Sequence, residues 1–326
     1  MSLPQNLRTH PALPWIAALA VMLMWASSFV VIRAGGLHLS PGAMSLLRIG
    51  AAAVALLPLV VLGRVRVPRT GRLRVAVAVW GVAWFAAYTI VLNASEALID
   101  AATAAMVVNI APLIVAVVSG AVFGEGLPPR LIAGVLVAFG GIALITVATS
   151  TGHVSGLGIV LGIVAALLYA GSVLAQKRLL AHIDSTSMTV IGIGAGFLAC
   201  LPYSPQLVSE FGDVPRGFVI AVIYMGVFPT AVAFLVWGYA LTRTPAGVLT
   251  SSSLLVPAFT VGLAWLLLGE MPPLLAGIGG ILCVTGAGFA IVPSVVAALR
   301  SRRDDPSLEH TDPSPRHGES PLRVQE

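Results

Sequence analysis

One arginine stands inside a long apolar run and is the clearest candidate for chemistry in the sequence. Arg48 lies about eight residues, or roughly 12 Å, from the end of that run at Ser40. A guanidinium inside hydrocarbon is costly unless it is paired or faces water, and its planar fork suits a carboxylate or backbone carbonyls. Two roles stay open: an anchor to Asp100 or to helix ends, which we favour, and a binding group for a substrate carboxylate.

Two prolines and the polar residues before them form a second candidate group. Pro112 and Pro257 lack the N–H that a helix needs, so the carbonyl groups near Val108 and Ser253 lose their partners. A substrate can contact these carbonyls, or the helix kinks and neighbouring hydroxyls satisfy them, which is the simpler interpretation. We expect Ser253 to line a cavity. Asn109 either binds substrate or bonds to another helix.

Large aromatic side chains with one polar atom lie in the middle of apolar runs rather than at their ends, where a headgroup belt would place them. Such side chains suit the wall of a pocket for an organic solute, although they also fill space between helices. We assign Ser28 and the following aromatic residues to a substrate pocket: Trp25, Trp84, Tyr88, Tyr169 and Trp237.

These residues are carried by helices that cross a membrane. Of the 326 residues, 58% are hydrophobic and only 10% are charged, which excludes a soluble domain of this length. A hydrocarbon layer of about 30 Å takes roughly 20 apolar helical residues. The sequence predicts an all-α membrane protein with ten transmembrane helices, at residues 15–33, 41–62, 73–92, 101–123, 131–148, 156–176, 186–203, 217–237, 246–268 and 274–293.

Basic residues give the orientation. Arginines crowd the connection at 64–74 and follow the last helix at 300–303, whereas Glu and Asp dominate the alternate connections. By the positive-inside rule the basic connections face the cytoplasm, which places both termini there and the protein in the cell inner membrane. We expect a short cytoplasmic segment at 1–14 and a disordered cytoplasmic tail at 300–326, which is rich in Pro, Ser and charge.

The two halves of the chain resemble each other at a shift of 144–145 residues. The matches are 23–28 with 167–172, Arg33 with Lys177, Pro112 with Pro257, and Glu125 with Glu270. The predicted repeats, 15–149 and 156–293, hold five helices each, and an odd number makes the second repeat inverted. Inverted halves can exchange conformations, so that a central site opens alternately to each side. We expect the two glutamates, at helix ends, to bond to backbone.

The sequence resembles the ten-span EamA-type family of the drug/metabolite transporter superfamily. The resemblance rests on Trp25 to Ser28, Leu47 with Arg48, Pro112 with Glu125, and Pro257 with Glu270. It implies two five-helix EamA-like repeats and transport of amino acids, other metabolites or drugs. The sequence departs from strict symmetry where Tyr169 replaces a second tryptophan and where Arg48 has no counterpart near Gly192.

Together these features predict a secondary transporter that moves a small metabolite by alternating access. The expected substrate is amino-acid-like or a related organic solute, and the expected direction is export. A channel or a receptor is the alternative. A membrane-embedded enzyme fits less well, because the helices lack paired aspartates and an HExxH motif.

The predicted partners are the substrate and the lipid bilayer, without nucleic acid. We expect no catalytic residue, no cofactor and no metal site, and we interpret Cys200 and Cys283 as small apolar side chains. Glycine pairs fit close helix packing and leave a homodimer open. These pairs are Gly158 with Gly162 and Gly192 with Gly196.

Fusions to alkaline phosphatase, which is active only in the periplasm, test the orientation. Fused after Arg74 or after Arg300, the reporter should stay inactive because both positions follow cytoplasmic clusters of arginine. Phosphatase activity in intact cells is the measurement, with immunoblots to show that the fusions accumulate. Strong activity at either position would overturn the orientation.

Overall fold

The computed structural model describes residues 12–35, 38–99, 101–152, 155–269 and 271–303. Within them, ten helices are long and apolar enough to span a membrane. In chain order, with α4 and α9 each in two segments, they are α1 (Leu13–Gly35), α2 (Pro41–Val61), α3 (Gly71–Glu96), α4 (Ala101–Val108 and Ala111–Val122), α5 (Pro129–Thr149), α6 (Gly156–Leu179), α7 (Ser185–Phe211), α8 (Arg216–Leu241), α9 (Ala246–Ser251 and Val256–Leu268) and α10 (Leu274–Arg303). This confirms the predicted ten-helix architecture.

The helices begin and end where the backbone requires it. Pro41 and Pro129 lie in the first turn of α2 and α5, where the missing N–H costs nothing. Gly124 after α4 and Gly269 after α9 both have φ of 70°, a left-handed conformation that side chains disfavour. These two glycines are 145 residues apart, so the repeat extends to the helix ends.

Two helices are longer than the sequence predicted. The seventh was expected to end at residue 203, but a short 3₁₀ turn at Leu201–Tyr203 leads directly into a further helical segment that ends at Phe211. The tenth continues to Arg303, so 300–303 are helical rather than part of the predicted tail. The first helix begins at Leu13, whereas 1–11 and 304–326 lie outside the described residues.

The two halves interlock. Helix α1 packs against α8 and α9 of the second half, and α6 packs in the same way against α3 and α4 of the first half. Helices α5 and α10 form the most extensive helix pair in the molecule. A cavity between the halves is therefore enclosed by helices from both repeats.

Glycines bring α5 and α10 into backbone contact. A Cβ atom added to Gly141 would lie 2.5 Å from the carbonyl oxygen of Gly279, and one added to Gly134 would lie 2.5 Å from that of Gly286. The cysteine Cys283, predicted to be a small buried side chain, lies in this contact and is buried and free. Since glycine pairs bring helices this close in hydrocarbon, van der Waals packing holds the pair.

The glycines that we considered for a dimer contact pack instead against other residues of the same chain. Added Cβ atoms at Gly158 and Gly162 would meet Ile99 and Val107, and one at Gly192 would meet Trp80. Close helix packing at these positions is therefore confirmed, and it is intramolecular. The homodimer stays a prediction without support from these glycines.

Substitution of adjacent glycines tests the α5–α10 contact. Gly141→Ala should lower stability by about 1–3 kcal/mol because its methyl group meets backbone that cannot yield. Gly140→Ala is the matched control, since no atom lies within 4 Å of the added Cβ and alanine favours helix. The melting temperature in detergent should fall for the first variant only. Equal melting temperatures for the two variants would contradict the contact.

Candidate substrate-binding site

A cavity opens between α1, α2, α3, α4, α6, α8 and α9. It extends from the middle of the helices to Glu96, the last residue of α3. We call the side of the bundle where α1 begins and α10 ends the termini side. Because α3 begins on the termini side, Glu96 and this end of the cavity lie on the opposite side.

The structure brings most of the predicted pocket residues to this cavity. Those that line it are Arg48, Trp25, Ser28, Trp84, Tyr88, Asn109, Tyr169 and Ser253. No side chain among the other lining residues was predicted to line a pocket; they are Phe29, Ile49, Phe85, Thr89, Leu92, Asn93, Glu96, Val108, Thr230, Phe234 and Val256. That these groups bind a substrate stays a prediction.

Aromatic rings form the deep wall. Trp84 is at the centre, with ring centroids 5.8 Å from Tyr169 and 5.0 Å from Phe234. Trp25 packs on Phe234 at 5.9 Å, and its Nε1 donates to the carbonyl of Pro229 at 3.0 Å. The tilted and edge-to-face arrangements are those that aromatic rings prefer, so the wall is rigid and apolar.

One predicted pocket residue lies elsewhere. Trp237 is fully buried behind the wall, where it packs on Trp25 at 5.3 Å and donates from Nε1 to Oε1 of Gln176 at 3.2 Å. It is not among the residues that line the cavity. Its indole N–H finds a protein partner, which explains why a polar aromatic residue is tolerated in the packed interior.

Wide helical turns in α3 and α8 present side chains to the cavity. Val82–Tyr88 and Val227–Val232 are π-helical, and the two segments begin 145 residues apart. Such turns are rare and occur mostly at functional sites, because they change the direction of side chains that a regular helix would stack. Trp84 and Tyr88 come from the first segment and Thr230 from the second.

Both prolines named by the sequence mark a break in a helix. Helix α4 stops at Val108 and resumes at Ala111, and α9 passes through a 3₁₀ turn at Ser252–Leu255. Pro112 and Pro257 lie in the first turn of the segment that follows. Residues at both breaks line the cavity, so the irregular backbone borders open space rather than lipid.

The polar side chains at these breaks, Asn109 and Ser253, form hydrogen bonds within their own helices. Asn109 donates from Nδ2 to the carbonyl of Ala105 at 2.8 Å, so the predicted bond to another helix is absent from the described contacts. Ser253 donates to the carbonyl of Thr250 at 2.8 Å, and it faces the hydroxyl of Tyr169 outside hydrogen-bond geometry. Ser28 Oγ is buried without a partner in the described part of the chain, so it is available to a bound solute.

Arg48 uses only one of its three side-chain nitrogens in a hydrogen bond with the described residues. Its Nε donates to Oγ1 of Thr230 at 3.0 Å, and Thr230 donates in turn to the carbonyl of Met225 at 2.8 Å. The two terminal nitrogens of the guanidinium make no hydrogen bond or ion pair with the described residues. Asp100, the partner that we favoured, lies outside the described residues. The fork therefore faces the cavity with most of its donors free.

Sequence reasoning missed Glu96, which it counted as part of a connection. The helix continues four residues beyond the predicted end and carries Glu96 to the cavity, where it shares the lining with Arg48. A signal was present in the spacing. Tyr88, Leu92 and Glu96 follow each other at four-residue intervals and so share one helix face.

A polar cluster closes the bundle on the termini side. Lys177 Nζ donates to the carbonyls of Leu241 and Thr244, and lies 3.9 Å from Oε1 of Glu125. Glu125 accepts from the backbone N–H groups of Ala246 and Gly247 at 2.9 and 3.2 Å, which confirms its predicted bonding to backbone. It thus caps the first turn of α9, whose amide groups favour an acidic partner. The matching Glu270 lies outside the described residues.

A ten-helix membrane bundle with a central cavity that is blocked on one side is the architecture of a secondary transporter. The EamA-like transporter family matches the chain twice, over residues 13–147 and 156–292. The chain belongs to this family. The predicted family is confirmed, and so is transport of a small molecule as the function of the chain.

Relatives and a solved structure agree with this assignment. The chain is 34% identical over 273 residues to a "Probable terminal-alkyne amino-acid exporter" of Streptantibioticus cattleyicolor, covering 83% of this chain and 91% of that one. It is 25% identical over 281 residues to a "Probable amino-acid metabolite efflux pump" of Escherichia coli, at 83% and 92% coverage. A crystal structure with 19% sequence identity matches at a TM-score of 0.70, over 89% of this chain and 98% of that one, and shows the same fold.

Alanine variants of two wall residues test the cavity. Trp25→Ala and Tyr169→Ala should each lower transport roughly tenfold, because each removes a large rigid surface from the cavity wall. Membrane abundance should change little. Trp265→Ala is a control of matched size, since Trp265 is 49% exposed on α9 and does not line the cavity. If both wall variants transport normally, or if both fail to accumulate, these rings only fill space.

Proposed function

We propose that the protein exports an amino-acid-type metabolite from the cytoplasm across the cell inner membrane. The observation that carries this proposal is the cavity itself, in which Arg48 faces an aromatic wall with both terminal nitrogens of its guanidinium unpaired among the described residues. A cation fork suits a carboxylate, and an apolar wall suits an organic side chain. The two relatives above, whose names describe an amino-acid exporter and an amino-acid metabolite efflux pump, point to the same class of substrate.

The orientation that the arginines predict determines which side of the membrane the cavity faces. With both termini in the cytoplasm, Glu96 lies at the periplasmic side and the cluster around Lys177 closes the cytoplasmic side. The cavity then faces outward, a state through which an exporter and an importer both pass. The proposed direction is supported by the names of the two relatives, which describe an exporter and an efflux pump.

Alternating access is supported by the internal symmetry. The π-helical segments, the helix breaks and the glycine contacts all recur at the shift of 144–145 residues. Lys177 and Glu125 have sequence counterparts in Arg33 and Glu270, which the repeat places at the other side of the membrane. A closure on one side favours a carrier over the alternative of an open channel.

Counterflow in liposomes tests the proposed function. Purified protein is reconstituted in vesicles loaded with one of the proteinogenic L-amino acids or with L-propargylglycine, and uptake of the same tritiated compound at trace concentration is followed. A carrier produces a transient accumulation above the level of empty vesicles, whereas a channel only equilibrates. Absence of accumulation for every L-amino acid would overturn the proposal, and accumulation of an unrelated solute class would replace it.

Neutralising the cluster on the termini side should shift the protein away from the conformation described here. Lys177→Met removes the donor that joins the end of α8 to Glu125, so the closure weakens and the cavity spends less time facing the opposite side. Ser28→Cys, in a background with Cys200→Ala and Cys283→Ala, reports on the cavity through its reaction with an impermeant maleimide added to intact cells. We expect labelling to fall about three- to tenfold.

Arg130→Met is the control for this measurement, because it removes an exposed basic residue from the same side of the bundle. It should leave the labelling rate unchanged. An equal fall in both variants, or no fall with Lys177→Met, would show that the cluster does not hold this conformation.

A further inference from the structure

Two opposite charges face the same cavity without forming a direct ion pair. Arg48 and Glu96 both line it, and no nitrogen of Arg48 lies within 4.0 Å of the Glu96 carboxylate. Resting on the proposed function, we propose that Glu96 and Arg48 form a two-point clamp for the head group of an α-amino acid. Glu96 accepts from the ammonium group, and the Arg48 fork donates to the carboxylate.

Glu96 has no other partner in the described part of the chain. It makes no hydrogen bond and no ion pair with a described residue, although a carboxylate that borders hydrocarbon is costly to leave unpaired. The polar neighbour Asn93, one turn earlier, donates instead to Oγ of Ser45 at 3.0 Å. A cationic ligand supplies the partner that the protein itself does not provide.

Arg48 is prepared for a carboxylate. The bond from its Nε to Thr230 fixes one edge of the guanidinium and leaves both terminal nitrogens free to donate in parallel. A carboxylate accepts such a pair of bonds with good geometry, whereas the point charge of a lysine does not reproduce the pair. Thr230 therefore acts as a positioning residue for the fork.

The charge of the lining selects for a zwitterion. Arg48 and Glu96 are its only Lys, Arg, Asp or Glu residues among the described residues, so the two charges cancel. A ligand with a net charge leaves one of them unpaired in a poorly solvated site, and a buried charge without its partner is strongly destabilising. An α-amino acid carries both charges on adjacent atoms and can meet both groups at once.

The clamp also sets the orientation of the ligand. Trp84 lies 12 residues before Glu96 on α3, about three helical turns farther from the mouth. With the head group held between Arg48 and Glu96, the side chain extends toward Trp84, Tyr169 and Phe234. The structure therefore favours amino acids with apolar side chains over those with charged ones.

Ligand truncation combined with charge removal tests the clamp. The full-length protein in detergent is titrated with L-phenylalanine, with phenethylamine, which lacks the carboxylate, and with 3-phenylpropanoate, which lacks the ammonium group. Ligand-induced shifts in melting temperature give apparent Kd values. If L-propargylglycine gives the larger counterflow, it is used with 3-butynylamine and 4-pentynoate instead. The wild-type protein should bind the amino acid at least about tenfold more tightly than either truncated compound.

Removing one of the two charged side chains should weaken binding only of the compounds that carry the group it contacts. Glu96→Gln should weaken binding of the amino acid and of the amine about tenfold and leave the carboxylate unchanged. Arg48→Gln should weaken binding of the amino acid and the carboxylate and leave the amine unchanged. Asp213→Asn and Arg216→Gln remove the same charges from exposed positions on the same side of the bundle, and they should change none of the three affinities.

The outcomes separate the clamp from the proposed function. If wild-type protein shows counterflow of an L-amino acid but Glu96→Gln binds all three compounds as wild type does, or weakens all three equally, the clamp is wrong and amino-acid export stands. If no L-amino acid gives counterflow, both are wrong. Should Arg48→Gln fail to fold, the three compounds with Glu96→Gln still decide the role of Glu96.

Discussion

The structure depends on one constraint, which is that no backbone polar group can be left without a partner in hydrocarbon. Ten regular helices satisfy it almost everywhere. The breaks before Pro112 and Pro257 and the wide turns of α3 and α8 depart from regular helix, and all four border the cavity. The 3₁₀ turn of α7 at Leu201–Tyr203 is a further irregularity, and it does not line the cavity. Most of the irregular backbone therefore occurs at the site, where the cavity offers it an alternative to lipid.

A second consequence concerns how the halves are joined. Backbones of the two halves approach each other closely at glycines, as in Gly141 with Gly279 in the α5–α10 pair. Side chains in the same places would hold the helices apart and open the bundle to lipid. The aromatic wall fills the space that remains in the middle, with Trp84 between Tyr169 and Phe234. Small residues at the periphery and large ones at the centre together shape a cavity with a rigid wall.

Much of this could be predicted from the sequence, because lipid imposes strong patterns. Ten apolar runs, the repeat and the position of Arg48 were visible without coordinates, since each is an unusual feature in an otherwise uniform composition. It was harder to predict which aromatic residues line the cavity and which lie behind its wall. Trp25 and Trp237 are equally apolar in context, and only packing shows that the first lines the cavity and the second lies behind it.

Other features left little trace in the sequence. A π-helical turn has no characteristic residue, so nothing marked Val82–Tyr88 as different from the helix around it. Glu96 was missed for a physical reason: acidic residues near the end of an apolar run usually belong to the aqueous connection, and a helix that extends by one turn reverses the conclusion. The hydrogen-bond partner of Arg48 is Thr230 of α8, 182 residues away, which no local pattern can indicate.

The backbone contacts of α2 and α3 tie the two cavity charges to the second repeat. An added Cβ at Gly226 of α8 would lie 2.3 Å from the carbonyl oxygen of Arg48, and one at Gly81 of α3 would lie 2.3 Å from that of Gly192 on α7. Helix α2 packs along α7 as well, where an added Cβ at Gly50 would meet Phe197. Both charges therefore lie on helices of the first repeat that are seated against the second, so the spacing between Arg48 and Glu96 depends on how the two repeats fit together.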